Sequence, residues 1–306
     1  MFRVCLMSAV MFLFLSVSLL SADTITMRTT DSNIFFDRSL SGVARDVAGI
    51  YPSTKADLER TFKWKADFTP DIVLVKDRHQ FREIAGSDII VAYAVPGRNL
   101  IVLDASRIYA KPFTVETTLK HEACHLLLHS KIDRDRLPRW LDEGVCQWAS
   151  GGVAELLWGE QEDIFSRAVI SGSVIEIQRL DRFPSDEKNL ALAYQESRSI
   201  VQYMVARFGS QSLLALLGYM HNGDTVQEAV RKTFSMSLPE LDRAWQLWSK
   251  RRHSWFLYVS DNIYEIIFAL TAVITIYGFV RLVKKRRAYR DEVGGDDEEG
   301  QDHFHR

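Results

Sequence analysis

Cysteine is scarce in this chain, and so is any excess of charge. Three cysteines occur among 306 residues, and one of them, Cys5, lies in the first apolar segment. The other two can form at most one disulfide, which excludes a scaffold held by several bridges. Lys and Arg number 38 against 40 Asp and Glu, which leaves a net charge of −2. This balance gives no support to nucleic-acid binding, and we expect no nucleic-acid partner.

Internal repeats and low-complexity runs are also absent, which excludes an array of repeated units. The sequence is 47% hydrophobic and 25% charged, as in ordinary folded proteins. A chain of 306 residues is long enough for one large or two small domains with a buried core.

An apolar segment begins the chain. Residues 1–22 combine one basic residue, Arg3, with an apolar run from Val4 to Leu20 and small residues at Ser21 and Ala22. This is the layout of a secretory signal peptide. An uncleaved signal anchor is the alternative, and either one would export the residues that follow.

A second apolar segment, Asn262–Val283, carries no charge between Ile266 and Val280. With its flanks it reaches about 20 residues, the length that a bilayer core requires. Six Lys and Arg residues flank its C-terminal end and three its N-terminal end, so we expect the C-terminus in the cytoplasm. A buried core helix is the alternative. The predicted organisation is a signal peptide at 1–22, an extracytoplasmic domain at 23–255, a transmembrane helix in the lipid bilayer at 262–283, and a basic and acidic cytoplasmic tail at 284–306.

The exported part divides into a strand-rich and a helix-rich portion. Short β-branched runs come first: "TITMRT", "DIVLVKD", "IIVAYAV" and "NLIVLD". The turn sequence "PGRN" joins the last two into a predicted hairpin over 89–103. Leu40–Lys63 has a helical pattern that we expect to break near Pro52. Further helices are predicted at 114–130, 138–149, 193–208, 211–220, 225–234 and 238–249. The fold class is therefore α+β, with a small mixed sheet packed on a helical unit.

The stretch "LKHEACHLLLHS" contains the pattern H-E-x-x-H. On a helix His121 and His125 lie one turn apart on the same face, close enough to bind one ion. Glu122 projects towards water on the open side of such an ion, where it can act as a general base. A polar helix face that binds no metal is the alternative.

A catalytic zinc takes three protein ligands and leaves one position open. The stretch "LPRWLDEGVCQWASGG" predicts a second helix, opened by Pro138 and ended by the glycine pair. Glu143 lies 18 residues after His125, which allows the chain to turn and bring a carboxylate against the imidazoles. A solvent-facing side chain is the alternative for Glu143. His129 is a rival ligand, but at about 12 Å of helical rise beyond His121 it is too distant to share the ion.

The pair of motifs "HEACH" and "WLDEGV" resembles the gluzincin metalloproteases, and in particular the peptidase-MA-like group. The resemblance extends over roughly residues 85 to 249. It implies a zincin-like catalytic unit with one zinc ion per chain, bound by His121, His125 and Glu143, and with Glu122 as the base.

Two further residues are assigned by the resemblance. Tyr194, in "AYQES", matches a family tyrosine that donates a hydrogen bond to the oxyanion of the tetrahedral intermediate. A buried core tyrosine is its alternative. Thermolysin-like members carry an Asp four residues after the ligand glutamate, where it orients a histidine. This chain has Gln147 there, an amide that could accept from an imidazole N–H but brings no charge.

Together these patterns predict a membrane-anchored, zinc-dependent metallopeptidase that acts outside the cytoplasm on a peptide or protein substrate. One strand of the 89–103 hairpin could pair with an extended peptide. The alternative is a catalytically inactive zincin-like ectodomain that serves as a binding or scaffold module. The presence of all four expected catalytic and ligand residues speaks against that alternative.

The cysteines beyond the signal segment predict a disulfide. Cys124 and Cys146 each lie three residues after an expected ligand, His121 and Glu143. Around the helix axis, each cysteine therefore lies about 60° from its expected ligand, and to the same side in both helices. Two helices that share one metal ion must pack closely, which could bring the thiols together. Two buried free thiols are the alternative.

Overall fold

The computed structural model describes residues 24–86, 90–110, 114–152, 162–261 and 263–295. The predicted signal peptide at 1–22 and the end of the predicted tail, 296–306, lie outside the described residues. The chain forms two compact units that divide between Lys250 and Arg251.

The first unit contains a five-stranded mixed sheet. Its strands are β1 (Thr24–Arg28), β2 (Asn33–Asp37), β3 (Asp71–Val75), β4 (Ala92–Val95) and β5 (Leu100–Asp104). Their order in space is β1-β2-β3-β5-β4, so β4 is an edge strand. Strands β2, β3 and β5 are parallel, whereas β1 and β4 are each antiparallel to their neighbour. The predicted hairpin is confirmed as β4 and β5, with Tyr93 opposite Val102.

Ten helices are described. They are α1 (Ser41–Phe62), α2 (Arg78–Ala85), α3 (Val115–Lys131), α4 (Arg139–Ser150), α5 (Glu162–Ser171), α6 (Glu187–Phe208), α7 (Ser210–His221), α8 (Val226–Phe234), α9 (Leu238–Asp261) and α10 (Ile263–Gly295). The α+β prediction is therefore correct, with a largely helical second portion. Strand β2 and the helices α2 and α5 were not expected, because these short elements have few apolar positions from which a period can be recognised.

Helix α1 corrects one prediction, because it runs through Pro52 without a break. Its buried residues Val47, Tyr51 and Leu58 recur at helical spacing and pack into the core. Pro52 itself is exposed, where the loss of its N–H donor is tolerated. Burial of one continuous apolar stripe thus outweighs the local preference of proline to end a helix.

The sheet separates two hydrophobic clusters. Ile34, Ile72 and Ile101 point to one face, where they join the main core with the helices. Val102 points to the other face and packs with Phe81 of α2. This alternation follows from the two-residue period of a strand.

Helices α4 and α6 pack unusually closely at Gly144. A Cβ atom at this position would lie 2.7 Å from Cγ2 of Val201 and 2.9 Å from the carbonyl carbon of Ser197. Only glycine allows two backbones to approach so closely. This contact fixes α4, and with it Glu143, relative to α6.

Helix α10 lies in the second unit. Within it, residues Ile263–Arg286 are long and apolar enough, by length and composition, to cross a membrane. The helix continues past the predicted end at Val283 to Gly295.

Candidate metal centre

Helix α3 contributes two histidines and a glutamate to one buried site. Thr114 caps this helix by accepting a hydrogen bond from the N–H of Thr117, so the helix begins without a break before the histidines. The rings of His121 and His125 meet edge to face, with centroids 4.7 Å apart. Their Nε2 atoms are only 3.0 Å apart. Two ring nitrogens of adjacent helical turns therefore point at the same volume.

Helix α4 brings Glu143 to the same volume. It is bounded as expected, by Pro138 before its first residue and by Gly151 after its last. Oε2 of Glu143 lies 3.7 Å from Nε2 of His121 and 3.5 Å from Nε2 of His125. One ligand atom from each of the three side chains falls within 4.8 Å of the others.

This donor set fits a zinc ion. Tetrahedral coordination with bonds of about 2.0–2.1 Å separates ligand atoms by about 3.4 Å, close to the three separations between these nitrogen and oxygen atoms. Oε2 of Glu143 is buried and has no hydrogen-bond partner among the described residues. A buried carboxylate oxygen without a donor is unfavourable unless a cation or proton supplies the missing charge. The geometry therefore favours a metal over a polar helix face.

Asp142 orients the histidines, and the sequence reasoning missed it. Its Oδ1 is 2.8 Å from Nδ1 of His125, and its Oδ2 is 2.8 Å from Nε2 of His129. A carboxylate on the far ring nitrogen fixes the ring of a ligand histidine and increases its basicity. Although burial opposes it, contact with His125 and His129 holds the pKa of Asp142 well below its usual value. The available signal was the acidic residue directly before Glu143 in "WLDEG".

Gln147 does not have the role that was considered for it. Its side-chain Nε2 donates to the backbone carbonyl of Tyr194, 3.3 Å away. It therefore ties α4 to α6, while Asp142 takes the contact with the imidazole. His129, which was judged too distant to share the ion, is half-buried and contacts Asp142.

The two central histidines have opposite pKa shifts. Burial, reinforced by the nearby His125, holds the pKa of His121 well below its usual value. Burial also opposes a charge on His125, but Asp142, Cys146 and Glu143 outweigh it and hold the pKa of His125 well above its usual value. A metal needs both Nε2 atoms deprotonated, so a bound cation must compete with a proton here.

A cleft of about 860 Å³ opens over these residues. Glu122, His125, Glu143 and Tyr194 all line it. The side chain of Glu122 is buried beside the histidines. Tyr194 lies on α6, where its hydroxyl accepts a hydrogen bond from Nη2 of Arg139 over 3.4 Å.

The edge strand β4 forms one wall of the cleft. Ala92, Tyr93 and Ala94 line it, and no strand among the described residues pairs with the outer side of β4. Burial, followed by the negative charge of Glu122, raises the pKa of Tyr93 to about 12. Tyr93 therefore stays uncharged and keeps its O–H donor near Glu122.

The sequence model of the Peptidase MA superfamily matches residues 91–251, more than half of the chain. The chain belongs to this superfamily. The predicted resemblance to the gluzincin-like peptidase MA group is thereby confirmed. No curated protein sequence matches the chain.

Solved structures similar to this peptidase MA chain include a metallopeptidase and an aminopeptidase. A variant of the M1 zinc metallopeptidase from Deinococcus radiodurans is 14% identical, with a TM-score of 0.46, covering 72% of this chain and 51% of that one. Aminopeptidase A from Legionella pneumophila, in complex with aspartic acid, is 15% identical, with a TM-score of 0.44, covering 72% of this chain and 27% of that one. The chain thus spans about half of the first and about a quarter of the second, and at these scores neither adds to the family assignment.

The predicted disulfide is not formed in this peptidase MA structure. Cys124 and Cys146 are buried free thiols. Burial, followed by the neighbouring Cys124 thiol, holds the pKa of the Cys146 thiol well above its usual value. Sγ of Cys146 is also 3.5 Å from Nδ1 of His125. The two helices do bring the thiols together, but the thiols pack as small buried groups beside His125.

Proposed function

We propose that this chain is a membrane-anchored, zinc-dependent metallopeptidase with its active site outside the cytoplasm. The observation that carries the proposal is the convergence of His121, His125 and Glu143 at one buried point, beside Glu122 in an open cleft. Three buried donors with one open side are what a catalytic zinc requires.

A zinc ion at this point would activate a water molecule and polarise the scissile carbonyl. Glu122, which lines the cleft next to the two histidines, accepts the proton of the attacking water and passes it to the leaving amine. The hydroxyl of Tyr194 donates a hydrogen bond to the oxyanion that develops on the carbonyl. Asp142 keeps the ring of His125 in position throughout.

The substrate in this proposal is an extended peptide that pairs with β4. This strand is at the edge of the sheet and lines the cleft through Ala92, Tyr93 and Ala94. Main-chain hydrogen bonds to an edge strand bind a peptide of almost any sequence, and the adjacent pockets then select side chains.

The anchoring part of the proposal rests on α10. Most of its described apolar side chains are exposed, among them Phe268 and Tyr277, and basic residues follow the apolar run directly. Lipid would cover that surface, and the excess of positive charge at its C-terminal end favours a cytoplasmic C-terminus. The leading apolar segment, 1–22, is consistent with export of the domain between them.

The decisive experiment compares the full-length chain with Glu122→Gln, both purified in detergent and loaded with zinc. We expect one zinc per chain in both, because Glu122 is a base and not a ligand. Hydrolysis of a quenched fluorescent peptide library should fall by about a thousandfold or more in Glu122→Gln.

Glu116→Gln is the matched control, because this acidic residue lies in the first turn of the same helix and is exposed. It should retain both zinc and activity. A wild type that binds zinc but cleaves no peptide would favour the scaffold alternative, and a chain that takes up no zinc would contradict the proposal entirely.

A further inference from the structure

Arg139 lies between two groups of the proposed active site. Its Nε is 3.6 Å from Oε1 of Glu143, while Oε2 of the same carboxylate faces the two imidazoles. Its Nη2 donates to the hydroxyl of Tyr194 over 3.4 Å. One guanidinium therefore contacts both a candidate metal ligand and the candidate oxyanion donor.

The guanidinium is held in place by its own surroundings. Arg139 is the first residue of α4 and lies four residues before Glu143, a spacing that places both on one helix face. Its Cζ stacks 4.3 Å from the ring centroid of Phe183. Phe183 in turn meets the ring of Tyr194 edge-on, with centroids 5.1 Å apart. The three side chains form one packed group at the wall of the cleft.

We propose that Arg139 is a positioning residue that directs the O–H of Tyr194 towards the oxyanion of a bound peptide. A guanidinium has hydrogen-bond donors and no acceptor. In its contact with Tyr194, Arg139 must therefore donate to a lone pair of the phenol oxygen. The hydroxyl hydrogen must then point elsewhere, and Tyr194 borders the cleft. Donation from a charged group also polarises the phenol and strengthens its O–H as a donor.

The ion pair with Glu143 is what makes the arrangement specific to arginine. A planar fork can contact the carboxylate through Nε and the phenol through Nη2 at the same time, whereas the single ammonium of lysine cannot reproduce both directions. The carboxylate thus anchors the guanidinium, and the guanidinium sets the direction of the hydroxyl. This inference rests on the proposed peptidase function and adds a residue to it.

A double-mutant cycle tests the inference in the full-length, zinc-loaded chain. The variants are Arg139→Gln, Tyr194→Phe, the combination of both, and Arg139→Lys. With a quenched fluorescent peptide that the wild type cleaves, Arg139→Gln should lower kcat about tenfold and change KM by less than about twofold. The double variant should be no slower than Tyr194→Phe, because Arg139 acts through that hydroxyl. Arg139→Lys should recover only part of the loss.

Calorimetric binding of the phosphinic analogue of tri-alanine gives a second measurement that needs no turnover. Its tetrahedral anion resembles the oxyanion, so Arg139→Gln and Tyr194→Phe should each weaken its binding about tenfold, and the combination no further. Arg243→Gln, which removes an exposed arginine of α9, is the matched control and should behave as wild type.

Several results would overturn the inference. An unchanged kcat and phosphinic affinity in Arg139→Gln would do so, as would losses that simply multiply in the double variant. Loss of zinc from Arg139→Gln would show that Arg139 acts by holding the metal ligand Glu143 and not by directing the hydroxyl of Tyr194. A zinc-loaded wild type that neither cleaves peptides nor binds the phosphinic analogue would instead contradict the peptidase function, and the inference with it.

Discussion

Helix α3 buries ionisable side chains, whereas α10 exposes apolar ones. His121 and Glu122 are at most 1% exposed, while Phe268 and Tyr277 of α10 are 76% and 69% exposed. Water favours neither arrangement, since buried charge and exposed apolar surface are both unfavourable. In our proposal each helix is completed from outside the chain, α3 by a cation and α10 by lipid.

The two helices also differ in how their roles are encoded. The character of α10 is a matter of composition, because any order of the same apolar residues would favour a bilayer. The character of α3 depends on spacing, because only positions four apart bring His121 and His125 onto one face. A helix that binds an ion is therefore sensitive to single substitutions in a way that a membrane helix is not.

The largest expected effect compares the two sides of the membrane that α10 is proposed to cross. A tag inserted after residue 290 should be fully protected from added protease in intact cells, while a tag near residue 30 should be digested. The reason is the excess of Lys and Arg at the C-terminal end of the apolar segment. Permeabilised cells provide the control, in which both tags should be cleaved. Digestion of the C-terminal tag in intact cells would reverse the topology and contradict an extracytoplasmic site.

The next effect concerns the cation expected at α3. If zinc binds only the folded state, a free zinc concentration of about 100 to 1,000 times its Kd should stabilise the first unit by about 3–4 kcal/mol. Removal of zinc with a chelator should then lower its Tm by roughly 5–15 °C in calorimetry of the full chain.

Glu143→Gln should make the Tm nearly insensitive to zinc, because it removes a candidate ligand. Glu116→Gln should respond as wild type does. A Glu143→Gln protein with a full zinc response would remove Glu143 from the site.

A smaller effect tests the packing that brings α4 to its place. Gly144→Ala should destabilise the fold by about 1–3 kcal/mol, since its Cβ meets the backbone of Ser197 and the side chain of Val201. It should also reduce zinc affinity, because α4 carries Glu143.

Gly218→Ala is the control, as this glycine of α7 has no atom within 4 Å of an added Cβ. It should be neutral or stabilise the helix by up to about 1 kcal/mol. Denaturant unfolding measures both, and equal effects would contradict the close approach of α4 and α6.

The smallest effect concerns Glu196, a buried glutamate outside the candidate metal centre. Burial raises the pKa of Glu196 to about 8; an N–H from Ile175 opposes this and the nearby Asp242 adds to it. The unfolded chain releases this proton near pH 4.5. The contribution of Glu196 to wild-type stability should therefore fall as pH rises from about 4.5 to about 8, because the folded state holds this proton to a higher pH than the unfolded chain does.

Glu196→Gln lacks this titration, so it should gain stability relative to wild type across that range, by at least about 1 kcal/mol at pH 8. Glu187→Gln, which removes an exposed acid from the first turn of the same helix, should show no such gain. Thermal unfolding at pH 5 and pH 8 measures the difference. A gain that is equal at both pH values would contradict the raised pKa.

Local patterns predicted most of the regular structure. The β4–β5 hairpin and six helices between α3 and α9 follow from turn residues and from apolar periods of two or 3.6 residues. Two of the errors share a cause. Helix α1 continues through Pro52, and β2 pairs in the middle of the sheet, because contacts distant in sequence stabilise both. The role of Asp142 was not predicted, because in thermolysin-like members the orienting Asp lies four residues after the ligand glutamate, where this chain has Gln147.

By itself the sequence determined the family, the two histidines that share a helix face, and the apolar length of α10. Those features depend on residue type and on spacing within one element. The tertiary structure alone decided that Glu143 faces both imidazoles, that Asp142 orients His125, and that Arg139 joins Glu143 to Tyr194. Each of these contacts depends on the angle and distance at which α3, α4 and α6 pack. That packing depends on close approach at residues such as Gly144. The periodicity of apolar residues within one helix does not predict such an approach.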